Sequence, residues 1–449
     1  MSITNTKKGI GMALVSLSLI SAALTGCGAQ KSEPSPAESS SKATATPVVE
    51  KKKENVTLSV GIFAEDLDFW QKKSQEEAFK KVLPNVTLDI QSFKDSAELL
   101  KALKVRQAAN EMPDVFYMKP DHVLQLKNSL YLWGADEPLV KMNKAVDALE
   151  VNKAGEGKYY GLPMKQFAEW VYYRKSVFSE LGLQVPQTWD EFVNTAKAIQ
   201  DSGKYQGLAL GAKDSWPQYP FVGFGSFAFF NDNNTDSEAA KTDTPFSPEG
   251  HYYKAFEMIE KLYKTGATGK ALGIGYSEAG QMFASKKAGM MAVGQYYYPD
   301  YVKNGGDIQD LGIFPLPVVN DKNETNRQVN VVDLPFAISK NSKHIDEAKK
   351  VLEWYFSPDV YKSYLNERTM SSTINGIDAD NLFTTAVKTL KVTPFYIKDG
   401  DENFVKLMNE SKWEGLVVGQ QMLSGKDFRP VFEDLNKKWA AARQKLGIK

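Results

Sequence analysis

The chain has 449 residues, 42% of them hydrophobic and 24% charged, with 55 basic side chains against 55 acidic ones. That length is more than a single hydrophobic core fills, so at least two cores are expected, and a net charge of zero leaves no electrostatic footprint for nucleic acid. One cysteine in the whole chain excludes a disulfide framework and any cysteine-ligated metal cluster.

The N-terminus reads as a targeting segment. Lys7 and Lys8 precede an uncharged apolar stretch, residues 9–24, which is short and Ser/Gly-rich for a membrane span. It closes on Leu24-Thr25-Gly26-Cys27, which looks like a bacterial lipobox, with small residues before a cysteine that takes the lipid. On this reading residues 1–26 are a lipoprotein signal peptide and Cys27 is the lipidation site; the plainer alternative is a secretory signal with an incidental cysteine. Residues 27–54 are rich in Ser, Thr, Ala, Pro, Lys and Glu and contain no aromatic residue, so they read as a flexible tether. As a coil it reaches on the order of 30 Å.

Residues 56–62 alternate and are β-branched, which predicts a strand; 69–82 reads as an amphipathic helix, 86–92 as a strand, 97–109 as a helix and 113–118 as a third strand. Alternating strands and helices imply a parallel sheet with crossover helices, and ligands of such sheets sit beyond the carboxyl ends of the strands. Those ends fall near Glu65, Asp66, Met118 and Asp121.

From Gly161 the chain reads GLPMKQFAEWVYYRKSVFSELGLQVPQTWDEFVNTAKA. A Gly-Leu-Pro turn, a strand at 170–173, a helix at 176–181, a Gly182 stop and a helix start follow in order. Thr188, with Glu191 three residues later, makes a capping box. A strand at 207–210 leads into a loop carrying Trp216 and Tyr219, and the aromatic run 221–230 reads as a buried helix. Residues 231–243 are acidic. They lack the glycine and ligand spacing of an EF-hand, so a solvated loop is preferred to a calcium site. Helices are expected at 250–263, 278–284, 342–356 and 359–365, and strands at 311–317 and 329–340, with further helices after Phe383.

The 161–198 order resembles the signature of the family 1 extracellular solute-binding proteins, the carbohydrate receptors of ABC importers. The segments 278–298 (a helix, Gly289-Met-Met-Ala-Val-Gly294, then Tyr296-Tyr-Tyr298), 311–317 and 329–356 carry the same resemblance. It implies an α/β, two-lobed periplasmic-binding fold of type II character, each lobe a mainly parallel sheet flanked by helices and joined by hinge crossovers. Residues 55–163 with 334–375 would form the first lobe, and 164–333 with 376–449 the second.

Sugars present apolar C–H faces and polar rims, so their sites combine aromatic rings with carboxylates, amides and arginines in a concave pocket. The expected ligand contacts are Glu65, Asp66, Met118 and Asp121 from the first lobe, and Trp216, Tyr219, Tyr296, Tyr298 and Trp413 from the second, with Asp333 from the strand between them. The resemblance places Asp121 among the residues that hold hydroxyls and puts Asp333 where glycine is common. Packing or capping is the alternative role for Tyr298 and Asp121. No cofactor, metal or catalytic residue is expected. The implied partners are a carbohydrate, the membrane subunits of an ABC transporter and the membrane itself through Cys27, with a monomeric chain outside the cytoplasm. An anchored glycoside hydrolase is the rival enzyme class, but the nucleophile elbow and His-Glu-x-x-His motifs are missing. A non-sugar solute or a sensor kinase partner are the rival binding roles. An anionic sugar would draw on Arg174, Arg327 or Arg368.

Overall fold

The computed structural model describes residues 54–119, 122–143, 153–390, 392–397 and 401–449. The signal segment, Cys27, nearly all of the tether and Asp121 lie outside the described residues.

Strand β1 (Val56–Phe63) pairs in parallel with β2 (Val86–Phe93) along its whole length and with β3 (Val115–Tyr117) at Val60 and Gly61. The crossover after β1 is two helices, Leu67–Gln75 and Glu77–Val82, where the apolar spacing predicts one. The break is at Glu76, whose backbone is extended (φ −65°, ψ 147°). It redirects the chain so that both Trp70 and Phe79 reach Trp354, with ring centroids at 6.0 and 4.8 Å. The helix Ser96–Ala109 returns the chain to β3. Short strands β4 (Trp133–Gly134), β5 (Lys153–Gly155) and β6 (Lys158–Tyr159) form a small separate sheet.

Strand β7 runs from Leu162 to Arg174, far longer than the 170–173 strand expected, and the Gly-Leu-Pro segment leads into it rather than turning. Most of its residues are buried whichever way they point, which erases the alternation that marks a half-exposed strand. Further on come β8 (Gln206–Ala209), β9 (Ala288–Gly294), β10 (Leu311–Pro315), the long β11 (Arg327–Ile338) and β12 (Thr393–Tyr396). The sheet order is β2-β1-β3-β11-β7-β9-β8, with β10 also on β7 and β12 also on β11. The outer pairs β1–β2, β1–β3, β8–β9 and β11–β12 are parallel. The central pairs β3–β11, β11–β7 and β7–β9 are antiparallel, because β7 and β11 cross between the two halves in opposite directions.

Two large cores flank this crossing. The first draws on Leu58 to Met164 and on Leu334 to Ala379, with Trp70, Phe336, Tyr355 and Tyr361 at its centre. The second draws on Val171 to Leu316 and on Phe404 to Ala442, around Trp189, Phe221, Phe256, Phe432 and Trp439. A smaller cluster of Trp170, Tyr172, Phe283, Tyr297 and Tyr301 covers the other face of β7 and β9. Burying rings of this size contributes about 1.5–3 kcal/mol each, so each half has its own source of stability and the sheet joins them.

The aromatic run 221–230 is not one helix: a π-type turn covers Tyr219–Gly223 and a short α-helix Gly225–Ala228, as expected where Pro220, Gly223 and Gly225 punctuate the chain. The acidic segment 231–243 contains the helix Thr235–Ala239; Asp236 accepts a hydrogen bond from Tyr252, and Asp232 lies 3.4 Å from His251 Nδ1. Among the described residues no three His, Cys, Asp or Glu side chains converge as a metal site.

The helix Trp189–Asp201 begins where the capping pattern puts it. Thr188 Oγ1 accepts the Glu191 N–H at 3.2 Å, while the Glu191 carboxylate takes the N–H of Gln187 at 2.9 Å rather than that of Thr188. Thr188→Ala is expected to lower the unfolding free energy by about 1 kcal/mol. Urea denaturation checks this: the midpoint should fall while the m-value stays unchanged.

Candidate functional site

Where β7 and β11 run side by side, Lys165 lies opposite Asp333 and Phe167 opposite Val331. Period-2 alternation puts Lys165, Phe167 and Asp333 on one face of the ladder. That face meets the carboxyl ends of β1 and β3. Lys119, just past β3, makes an ion pair with Asp333, and Lys165 Nζ lies 3.6 Å from Glu65 Oε1 in the turn after β1. Beneath them Asp66 is fully buried; its Oδ2 accepts hydrogen bonds from Tyr117 (3.0 Å) and Tyr364 (3.1 Å). Arg368 Nε lies 3.0 Å from Asp66 Oδ1 but off the N–H direction, so that contact is ionic rather than a directed hydrogen bond. The same guanidinium donates to the Glu65 carbonyl.

The charges in this cluster hold one another. Burial pushes the Asp66 carboxyl up, and Glu65 adds to that, against the pull of Lys165 and Arg368. Burial alone would lower Lys165, but Asp66, Glu65 and Asp333 outweigh it and its pKa ends raised, so it keeps its proton. Burial likewise works against Asp333, and the Lys119 and Lys165 cations overcome it, leaving its pKa lowered. Three cations and three carboxylates therefore sum to no net charge. Glu65 remains 57% exposed, Lys119 31% and Asp333 14%, so this charged floor is open to a ligand at its rim.

Aromatic rings continue from it on the other side. Phe167 meets Tyr296 edge to face at 5.1 Å, Tyr296 neighbours Trp216 at 6.2 Å, and Trp216 neighbours Tyr276 at 4.7 Å. All four rings are partly exposed. Tyr276 is held from behind, its hydroxyl donating to Asp300 at 2.9 Å and its N–H to Asp214 at 2.7 Å. Tyr219 stacks on Phe224 at 5.5 Å and is 43% exposed.

Backbone strain gathers at the same place. Seven non-glycine residues among those described have positive φ, and three adjoin the site: Ser215 (61°) before Trp216, Leu334 (51°) after Asp333, and Thr369 (56°) after Arg368. Ser215, with ψ −56°, has the strained γ-turn geometry. Leu334 is a buried branched residue in a region that L side chains disfavour. Such outliers persist where the surroundings over-determine them, commonly at ligand sites.

The structure thus brings together Glu65, Asp333, Trp216 and Tyr296 of the expected contacts. Asp66 lies below them with no exposed surface and acts by holding Arg368, Tyr117 and Tyr364. Met118 is also fully buried, in the first core, and its N–H donates to the Pro335 carbonyl. Tyr298 packs against Phe383 at 6.0 Å. Trp413 lies apart: it is 7% exposed in the second core, ringed by Phe246, Tyr252, Phe256 and Phe432, so its role there is packing. Of the three arginines considered for an anionic ligand, only Arg368 is here. Arg174 is buried in an ion pair with Asp310, and Arg327 pairs with Glu324 and donates to the Ala228 carbonyl. Sequence reading missed Lys119, Lys165, Phe167 and Tyr276. The signal for Lys165 and Phe167 was their period-2 spacing, visible only once β7 is started at Leu162.

One further group on this face stands out. Glu169 is 2% exposed, its Oε2 has no hydrogen-bond partner among the described residues, and burial pushes its carboxyl up to about 8. A separate surface groove of about 420 Å³ lies on the second half, lined by Leu183, Val185, Pro186, Glu191 and Lys322 among others. It contains none of the expected contacts.

The profile of the bacterial extracellular solute-binding protein family matches residues 63–362. The multiple sugar-binding protein of Streptococcus mutans is 24% identical over 328 residues, covering 70% of this chain and 76% of that one. The arabinooligosaccharide-binding protein of Halalkalibacterium halodurans is 26% identical over 178 residues, covering 39% of this chain and 38% of that one. Among solved structures, the mannobiose complex of an ABC transporter binding protein from Bifidobacterium animalis subsp. lactis superposes with a TM-score of 0.71 at 19% identity, over 87% of this chain and 95% of that one. The likeness in structure is one of fold: a two-lobed α/β binding-protein architecture. The chain belongs to the bacterial extracellular solute-binding protein family.

Proposed function

We propose that this protein is the carbohydrate receptor of an ABC importer, and that it captures a neutral oligosaccharide between its two halves. The observation that carries the reading is the continuous strip of Phe167, Tyr296, Trp216 and Tyr276 beside the Lys119–Asp333 and Lys165–Glu65 pairs. Rings cover the apolar faces of a sugar, and the paired charges offer donors and acceptors to its hydroxyls. Because the cluster sums to no net charge, it favours a solute without charge of its own. The sugar ligands named for the similar proteins from Streptococcus mutans, Halalkalibacterium halodurans and Bifidobacterium animalis support the same class.

The lobes on this reading are residues 55–163 with 334–375 and residues 164–333 with 376–449; the two large cores support the division except at its edges, where Met164, Ile377 and Ala379 pack with the first core. Glu65, Asp333, Trp216 and Tyr296 are the direct contacts, and Asp66 positions Arg368 from below; Tyr219, exposed beside Phe224, is reserved for a longer ligand. Binding needs no chemistry: a ligand that touches both lobes favours the closed arrangement by its differential contacts. Asp121 joins this set as the carboxylate one residue beyond the Lys119-Pro120 segment that follows β3. Cys27 anchors the chain to the outer face of the cell membrane through lipid, and residues 28–54 are the leash. Substituting Cys27→Ser should abolish incorporation of labelled palmitate and release the protein from the membrane fraction; continued incorporation would refute the anchor.

A thermal-shift and calorimetry panel of mannobiose, arabinooligosaccharides, other neutral oligosaccharides, uronides and peptides tests the cargo, using the compact part Lys53–Lys449. A neutral oligosaccharide at one hundred times its dissociation constant should add about 2.7 kcal/mol of stability. Trp216→Ala and Tyr296→Ala should each weaken its binding about tenfold, the loss of roughly 1.4 kcal/mol of ring contact. Stabilisation by peptides or uronides alone would refute the assignment.

A further inference from the structure

Strand β7 changes partners within two residues. Ala168 is its last residue paired with β11, opposite Asn330, and Glu169 is its first paired with β9, opposite Gly294. Before this step Leu162, Met164 and Phe167 pack with the first core; after it Val171 and Tyr173 pack with the second, while Ala168, Trp170 and Tyr172 belong to the smaller cluster. The exchange point is therefore where a change in the angle between the halves would bend the sheet. Four buried polar atoms on this short stretch and its partner lack hydrogen bonds among the described residues: Gln166 Oε1, Glu169 Oε2, Trp170 Nε1 and Gln328 Oε1. Buried polar groups are paired in the great majority of cases, and an unpaired carboxyl is the most costly kind to bury charged. Alternation puts Glu169 on the face of Lys165 and Phe167, with Gln166, Trp170 and Gln328 on the other, so its unpaired carboxyl stands by itself at the exchange point.

We propose that Glu169 is a proton-operated latch at this crossing: the two halves close with its carboxyl protonated, and ionising it opens them. The proposal rests on the two-lobed capture described above. Among the described residues no cation is placed to hold an ionised Glu169. Along β7, Lys165 is committed to Glu65, and Tyr172 and Tyr173 carry no charge near neutral pH. Beyond β9, Tyr296 is the titratable neighbour; burial pushes its hydroxyl well above the ordinary value and the Glu169 charge pushes the same way. On β11, Arg327 is paired with Glu324 and Asp333 with Lys119. From β11, Gln328 Nε2 donates to the Glu169 backbone carbonyl at 2.6 Å.

The sign follows from linkage. With the carboxyl buried it titrates near 8, and exposed to water near the ordinary 4.5. The closed arrangement is fully favoured below 4.5. It loses up to tenfold in relative population per pH unit as pH rises between those two values, and nothing further above about 8. Ligand capture thus takes up a proton in that window, whatever the ligand.

Small-angle X-ray scattering of the full chain without added sugar, from pH 5 to 9, reads the latch directly. Wild type should show a radius of gyration that grows with pH and levels off above about 8. Glu169→Gln, neutral at every pH and nearly isosteric, should stay compact throughout, and Glu169→Asp should retain the pH response. A wild-type radius independent of pH, or the same expansion in Glu169→Gln, would overturn the proposal. Far-UV circular dichroism on each variant confirms that the fold is kept. No sugar enters this measurement, so its failure is distinct from a failure of the carbohydrate reading.

Discussion

The constraint on which this structure depends is the antiparallel ladder of β7 and β11. Each strand is long enough to leave one core and enter the other, and their register puts Asp333 opposite Lys165 and Pro335 opposite Pro163. Every functional placement follows from that register. A one-residue slip would send Lys165 and Phe167 to the opposite face and replace them with Met164 and Gln166. The segment after the helix Pro358–Glu367 clasps the same ladder. Ser371 exchanges backbone hydrogen bonds with Gln166, Thr373 Oγ1 donates to the Pro163 carbonyl at 2.9 Å, and Gln295 Nε2 donates to the Thr369 carbonyl at 2.7 Å. Residues from three distant parts of the chain are thereby fixed around one crossing.

The charged cluster at the crossing is understood as a compensated set. An isolated buried Asp66 or Lys165 would cost several kcal/mol in lost solvation. Each is retained because the others neutralise it, and Tyr117 and Tyr364 supply Asp66 with the hydrogen bonds that water would otherwise give. The result is a floor that is polar and rigid yet electrically neutral, joined to a wall of rings. Glu169 is the exception. Among the described residues it has no countercharge, and burial pushes its carboxyl up to about 8 instead. One strand face thus carries both a paired cluster and an unpaired acid.

Much of this was legible in the sequence. The opening alternation of strands and helices, the Thr188 cap and the element positions from His251 to Phe356 follow from local patterns, whereas packing split the first crossover helix, lengthened β7 and broke the 221–230 run. The site was less legible, for identifiable reasons. The length of β7 is hidden because burial on both faces removes alternation, and Lys165 and Phe167 were hidden with it. Trp413 has the same sequence surroundings as a loop aromatic, yet it fills the second core; a tryptophan beside Lys, Glu and Gly does not announce which way it points. Asp66 follows a strand end, as expected of a contact, but the helix that begins at Leu67 turns its carboxylate inward towards Tyr117 and Tyr364.

The central claim is that a sugar sits on the shared face of β7 and β11, between the two cores. A crystal structure of the protein with a bound neutral oligosaccharide tests it most directly. The account predicts sugar rings against Tyr296 and Trp216, with hydroxyls bonded to Asp333, Lys119 or Glu65. A sugar seated elsewhere, such as in the groove beside Val185 and Glu191, with the Phe167–Tyr296–Trp216 strip left bare, would contradict it.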